Sequence, residues 1–217
     1  MFDINIFLLS LLNKTCSIEN CFSKLFSSII RITEQKGFSN YNIKRMRKII
    51  FLLLLMQSGV IFAQNAQVAK YKAMFTLNFI RYVGWPDAAT KGDFVIGVLK
   101  NKTVLTNLQS QTVGKKFGYQ NIIVKEFKKI DDVTDCQILF ISSNINFSKN
   151  AVLLKQKLKG ANSLIITDSE GSIRHGSMIN FVVRDNKLKF EISSTNAAKF
   201  GLKFSKSLTS LSNAIVK

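Results

Sequence analysis

The chain has 217 residues and a formal net charge of +18, from 31 Lys+Arg against 13 Asp+Glu. A single histidine, His175, excludes a histidine-rich metal site. Three cysteines, two of them at Cys16 and Cys21, leave no pair downstream for a structural zinc or a thioredoxin-like motif.

In chain order, the first informative feature lies at Arg45-Met46-Arg47-Lys48, a short basic run that leads into the eight apolar residues Ile49 to Met56. Gln57 to Phe62 follow, and the stretch closes on the small residue Ala63. Basic region, apolar core and small closing residue together describe a signal peptide. The apolar stretch Ile49 to Ala63 is 15 residues, too short at about 1.5 Å per residue to cross about 30 Å of hydrocarbon. Signal peptides begin at the initiator, so Met46 is the expected start. Residues 1–45 are then an upstream extension read in frame, residues 46–63 the signal peptide, and residues 64–217 the exported domain. The competing reading is a genuine amphipathic N-terminal extension.

Cleavage after Ala63 leaves 154 residues, the usual size of one domain. That part carries 23 Lys+Arg and 10 Asp+Glu, a net +13, and only Arg81, Arg174 and Arg184 are arginines. Readers of nucleic-acid sequence lean on the arginine fork, and export removes the chain from nucleic acid altogether. Scattered lysines read as a solvated surface, with an acidic partner face or anionic lipid headgroups as the alternatives.

Gln67 to Val83 places Tyr71, Met74, Phe75, Phe79, Tyr82 and Val83 at helical spacing, and Trp85-Pro86 ends that helix. Its aromatics read as a core stripe, with a dimer or partner interface as the alternative. Asp93 to Leu99 reads as a strand, Thr103 to about Thr112 as a helix, and Gly114-Lys115-Lys116 as a turn. Strands follow at Asn121 to Glu126 and Gln137 to Ser142, the latter apolar enough to be covered on both faces. Ser148 to Lys159 fits a helix capped by Ser148 and stopped by Gly160. Ser163 to Thr167 is a further strand, and Asp168 to Ser177 a polar loop with Gly171 and Gly176 as its flexible points. Met178 to Val183 and Lys187 to Ile192 flank Arg184-Asp185-Asn186 as a hairpin. Ser193 to Phe204 and Ser205 to Ile215 read as closing helical segments. The sum is an α/β fold class: a single domain, its mixed sheet flanked by helices, with a C-terminal β-hairpin followed by helices.

Chemistry is sparse. The sharpest catalytic arrangement sets His175 with Asp168 and one of Ser169, Ser172 or Ser177, but Ser, Gly and Asp also gather in loops simply because they make turns. A Cys136–His175 dyad conflicts with Cys136 opening the apolar run Cys136 to Ile141, where it reads as a small buried hydrophobe. No catalytic, metal or cofactor-binding residues are therefore assigned, and no cofactor is expected. Arg174 and His175 are the candidate partner-binding residues, on a loop that otherwise reads as a solvated connection.

Several segments run in the order seen in the YfiR family. They are Tyr71 to Phe79, Val83-Gly-Trp-Pro86, Phe94-Val-Ile-Gly-Val98, Cys136 to Ser142, Leu164 to Asp168, Gly176 to Val182, Lys189-Phe-Glu-Ile192, Ala197-Ala198 and Gly201 to Ser205. The chain resembles that family over essentially all of residues 67 to 215. The resemblance implies a small exported α/β protein without known catalysis. It implies action in the periplasm on the sensor domain of an inner-membrane diguanylate cyclase. Such members carry disulfides; Cys136 matches a family cysteine at the head of the central strand, and the exported part has no second cysteine to pair with it. Ser193 stands where the family has Asn after Phe-Glu-Ile.

The expected function is thus an exported, non-enzymatic regulatory binding protein. Its expected partner is the periplasmic sensor domain of an inner-membrane signalling protein, a diguanylate cyclase or a histidine kinase. The membrane is then met only through the partner, and a homodimer is compatible with the sequence. The alternative is a periplasmic module that binds a small ligand without a direct signalling role.

Overall fold

In the computed structural model, residues 66–158, 162–185, 187–212 and 214–215 are described. All lie within one compact unit, Ile61–Lys217. The expected extension, signal peptide and Ala63 cleavage point, Cys16 and Cys21, the stop at Gly160 and the turn residue Asn186 lie outside the described residues.

Helix α1 covers residues 66–82. Its buried face is Ala69, Ala73, Thr76, Phe79 and Ile80, while Met74 and Tyr82 are exposed. The buried stripe is therefore rotated from the aromatic one expected, with small Ala and Thr residues taking part of it. Phe75 and Phe79 still reach the core: Phe79 meets Phe190 at 5.2 Å edge-on and Phe181 at 5.9 Å. Val83 is not helical; it opens strand β1 (Val83–Gly84). At the corner that follows, Trp85 Nε1 donates to the Ile80 carbonyl at 2.9 Å and its ring stands edge-on to Phe94 at 5.1 Å. Pro86 then leads into a 3-10 turn, Asp87–Thr90.

The central elements follow as β2 (Phe94–Leu99), α2 (Lys102–Thr112), β3 (Lys116–Phe117), β4 (Gln120–Phe127), β5 (Ile138–Ile141), α3 (Phe147–Lys157) and β6 (Leu164–Thr167). Next come β7 (Ile179–Arg184), β8 (Lys187–Ile192), α4 (Ser194–Ala198), β9 (Lys203–Phe204), α5 (Lys206–Leu211) and β10 (Ala214–Ile215). Eight strands form one mixed sheet in the order β10-β8-β7-β6-β5-β2-β4-β3. The five strands β4, β2, β5, β6 and β7 run parallel, and β8 turns back antiparallel to β7. Every residue of β5 and β6 is buried, as the apolar runs Ile138–Ile141 and Leu164–Ile166 require of strands covered on both faces.

Four local readings are corrected. Helix α3 is capped by Asn146, whose Oδ1 accepts from Lys149 N at 3.2 Å; Ser148 already lies inside the helix and donates to the same oxygen. An asparagine two residues earlier satisfies the orphan amide sooner, so the helix starts there. Beyond Gly114, Lys116 is not turn but opens a two-residue strand, Lys116–Phe117, on the sheet edge. The loop Asp168 to Ser177 contains a 3-10 turn, Ser172–His175. Both closing helices are shorter than expected: Gly201, at φ +72, breaks the chain after α4, and β9 and β10 take up the remainder by pairing with β1 and β8.

Candidate functional site

Parallel strands send their following loops to one end of the sheet, so the loops after β5 and β6 lie together. The loop after β6 carries Arg174 and His175, and both are exposed. Around them the backbone is held at every turn. Gly171 and Gly176 bracket the 3-10 turn at φ +72 and +107, conformations that L side chains rarely adopt. At Gly176 a Cβ would stand 2.3 Å from Cε and Nζ of Lys155, so the α3 lysine lies directly across the glycine. Asn196 of α4 donates through Nδ2 to the carbonyls of Ile173 at 2.8 Å and Ser177 at 2.9 Å. At the loop's start, Asp168 Oδ2 accepts from Lys72 of α1 at 2.8 Å, and the Asp168 side chain is only 3% exposed.

A second polar line runs beneath the loop. Thr167 Oγ1 lies 2.7 Å from Asn180 Oδ1 and 2.8 Å from Ser177 Oγ, and Ser177 donates to the Ile179 carbonyl at 2.8 Å. On the outer side Arg184 pairs with Glu170 and lies 3.7 Å from Glu191. The hydrogen bond from Arg184 holds the Glu170 carboxyl below its usual range, and Glu170 in turn raises the guanidinium. His175 lines a polar cleft of about 450 Å³ with Ser143, Asn146, Ser148, Ser169 and Glu170.

This geometry does not assemble an acyl-transfer triad. The Asp168 carboxylate faces Lys72, Ser177 is fully buried, and Ser169 and Ser172 bond each other at 2.7 Å. Cys136 precedes β5 and His175 follows β6, which puts them at opposite ends of the parallel pair. Burial pushes the Cys136 thiol up to about 12, so at neutral pH it carries no thiolate. Among the described residues no group of three His, Cys, Asp or Glu side chains is placed to hold a metal ion. No described helix is long and apolar enough to cross a membrane.

Arg174 and His175 thus share one exposed turn. What residue patterns do not reveal are the anchors Lys72 and Asn196, and Lys155 lying across Gly176. Each is an ordinary surface residue type whose role depends on contacts far away in sequence.

The family model for YfiR/HmsC-like proteins matches residues 69–213. The chain belongs to the YfiR/HmsC-like family. The match takes in every element from α1 to α5, including the anchored loop. Members of the YfiR/HmsC-like family are regulators rather than enzymes. No curated protein matches the chain. Similar solved structures include a conserved domain protein from Vibrio cholerae O1 biovar El Tor, at 8% identity and a TM-score of 0.42, covering 56% of this chain and 54% of that one. Another is the ABC domain in complex with L-Trp from Streptococcus pneumoniae, at 8% identity and a TM-score of 0.39, covering 57% and 55%. The chain spans about half the length of these structures.

Proposed function

We propose that this chain is an exported, non-enzymatic regulatory binding protein. It acts on the periplasmic sensor domain of an inner-membrane signalling protein, a diguanylate cyclase or a histidine kinase. In this reading the segment 46–63 directs export, cleavage follows Ala63, and residues 64–217 work outside the cytoplasm. Its main support is membership of the YfiR/HmsC-like family across residues 69–213. Arg174 and His175 supply the contact: exposed cationic and polar side chains on a loop already fixed, so that little ordering entropy is lost when a partner binds. Control requires that the protein bind one conformation of the sensor more tightly than the other, since equal affinity shifts nothing.

The test has two arms. Detergent-solubilised inner membrane is passed over the immobilised protein, and retained signalling proteins are identified; Arg174→Ala/His175→Ala should retain far less. Deletion of the gene should raise cyclic di-GMP or kinase phosphorylation. Unchanged levels of both, with nothing retained, would retire the proposal.

The polar cleft beside His175 favours a second reading, a periplasmic module that binds a small ligand without signalling. Native mass spectrometry of protein purified from its host separates the two. A bound small molecule, with no effect of deletion on either output, selects the second.

A further inference from the structure

The hairpin β3–β4 ends in an apex that nothing in the fold requires. Phe117 pairs with Gln120, so the turn consists of two residues, Gly118 and Tyr119. Gly118, at φ +58, supplies the left-handed first position that such turns demand. The second position suits a small polar residue, yet it holds a tyrosine that is fully exposed. At the base of the hairpin Val113 is 81% exposed, directly after α2. Between them lie Lys115 and Lys116, both exposed. From Phe94 to Lys125 the sequence has five lysines and no Asp or Glu. The neighbouring loop adds Lys91 against Asp87 and Asp93, and Asp93 accepts from Asn121 Nδ2 at 3.3 Å.

An aromatic apex, an exposed aliphatic residue and paired exposed lysines thus lie within the short stretch Val113 to Tyr119. A flat protein interface of ordinary size gains little from a two-residue projection. A lipid headgroup layer accommodates one readily: tyrosine rings lie at headgroup depth, and lysines meet lipid phosphates. Lysine, a compact hydrated charge, suits that contact better than a geometry-specific one. We propose that the segment from Val113 to Tyr119 is a peripheral membrane contact that seats the protein on anionic phospholipid. Such a contact concentrates the protein on the surface where a membrane-embedded partner lies. It rests on the proposed function only for its setting, since it needs export to a compartment that faces a membrane.

The test is flotation of protein recovered from the periplasmic fraction. Vesicles of phosphatidylethanolamine with phosphatidylglycerol are compared with vesicles of phosphatidylcholine alone. Wild type should float with the anionic vesicles, release in high salt, and stay behind with phosphatidylcholine. Val113→Ser/Tyr119→Ser should weaken partitioning about tenfold, and Lys115→Glu/Lys116→Glu should abolish it. All four side chains are exposed, so thermal midpoints should match wild type and exclude misfolding. Wild type that fails to float, or apex variants that float as well as it does, overturns the proposal. Variants that float normally but lose capture of a membrane protein also overturn it, in favour of a protein docked at the apex. Flotation is read without any signalling output, so an unaltered output on gene deletion affects only the regulatory reading.

Discussion

Lys72 and Asp168 lie 96 positions apart in sequence and meet at 2.8 Å, fastening α1 to the end of β6 where the anchored loop begins. The Asp168 side chain is 3% exposed and that of Lys72 16%, and Asp168 Oδ1 has no hydrogen-bond partner among the described residues. Removing the lysine leaves a buried carboxylate uncompensated. Lys72→Ala should therefore cost about 2–4 kcal/mol, toward the lower end because the lysine is partly solvated. Lys72→Met/Asp168→Leu should recover most of that loss, because two apolar groups need no pairing. Urea unfolding of the three proteins checks it; equal stability of Lys72→Ala and wild type would refute the argument.

Gly97 sits in the middle of β2 with the Phe127 ring laid over it. An added Cβ would stand 2.4 Å from Cε2 of Phe127 and 3.3 Å from the Cys136 sulfur. Gly97→Ala should destabilise by about 1–3 kcal/mol through overpacking. Phe127→Leu in the same chain should return part of it, giving a coupling energy that a double-mutant cycle reads directly.

The anchored loop separates affinity from stability. Arg174→Ala/His175→Ala removes exposed side chains only, and the thermal midpoint should stay close to wild type. Asn196→Ala removes two hydrogen bonds to loop carbonyls, and about 1–3 kcal/mol of stability should go with them. If a fixed loop is what the partner meets, capture should fall in both variants, while hydrogen exchange in residues 171–177 quickens only in Asn196→Ala.

Cys136 gives a pH dependence of defined sign. Burial raises its thiol from 9.0 to about 12, so the folded chain keeps a proton that the unfolded chain loses. The resulting stability is complete below about pH 9 and declines as pH rises toward 12. Lysines also titrate there, so the quantity to measure is the gap between wild type and Cys136→Ala. That gap should narrow by roughly 1 kcal/mol per pH unit above 9. At neutral pH a thiol reagent should modify Cys136 only after denaturation.

Strands β2, β5 and β6 and the β7–β8 hairpin are legible in the sequence because their signals are local. Ile138–Ile141 and Leu164–Ile166 are unbroken apolar runs, and Asp185, at φ +53, takes the turn conformation for which Asp is suited. By contrast β9 and β10 exist only through strands distant in sequence, so Lys203–Phe204 and Ala214–Ile215 look helical when read alone. The stripe on α1 is misread for a related reason. Aromatic residues advertise burial, yet Ala69 and Ala73 are buried while Tyr82 is exposed. At the site, Gly171 and Gly176 mark the loop that bears Arg174 and His175. It is held by Lys72 and Asn196, which carry no local signature.

The small β1–β9 ladder, Val83 opposite Phe204 and Gly84 opposite Lys203, is reinforced where Ser205 N donates to the Tyr82 carbonyl at 2.9 Å. It clasps the end of the first helix to a segment more than a hundred residues further along the chain, so the opening segment of the domain must wait for Lys203–Phe204 before it can latch. Contacts that span such a separation carry a high loop-closure cost and form late. A ribosome still holding those residues would keep the latch open, and truncation before Lys203 would free the first helix however intact the central sheet.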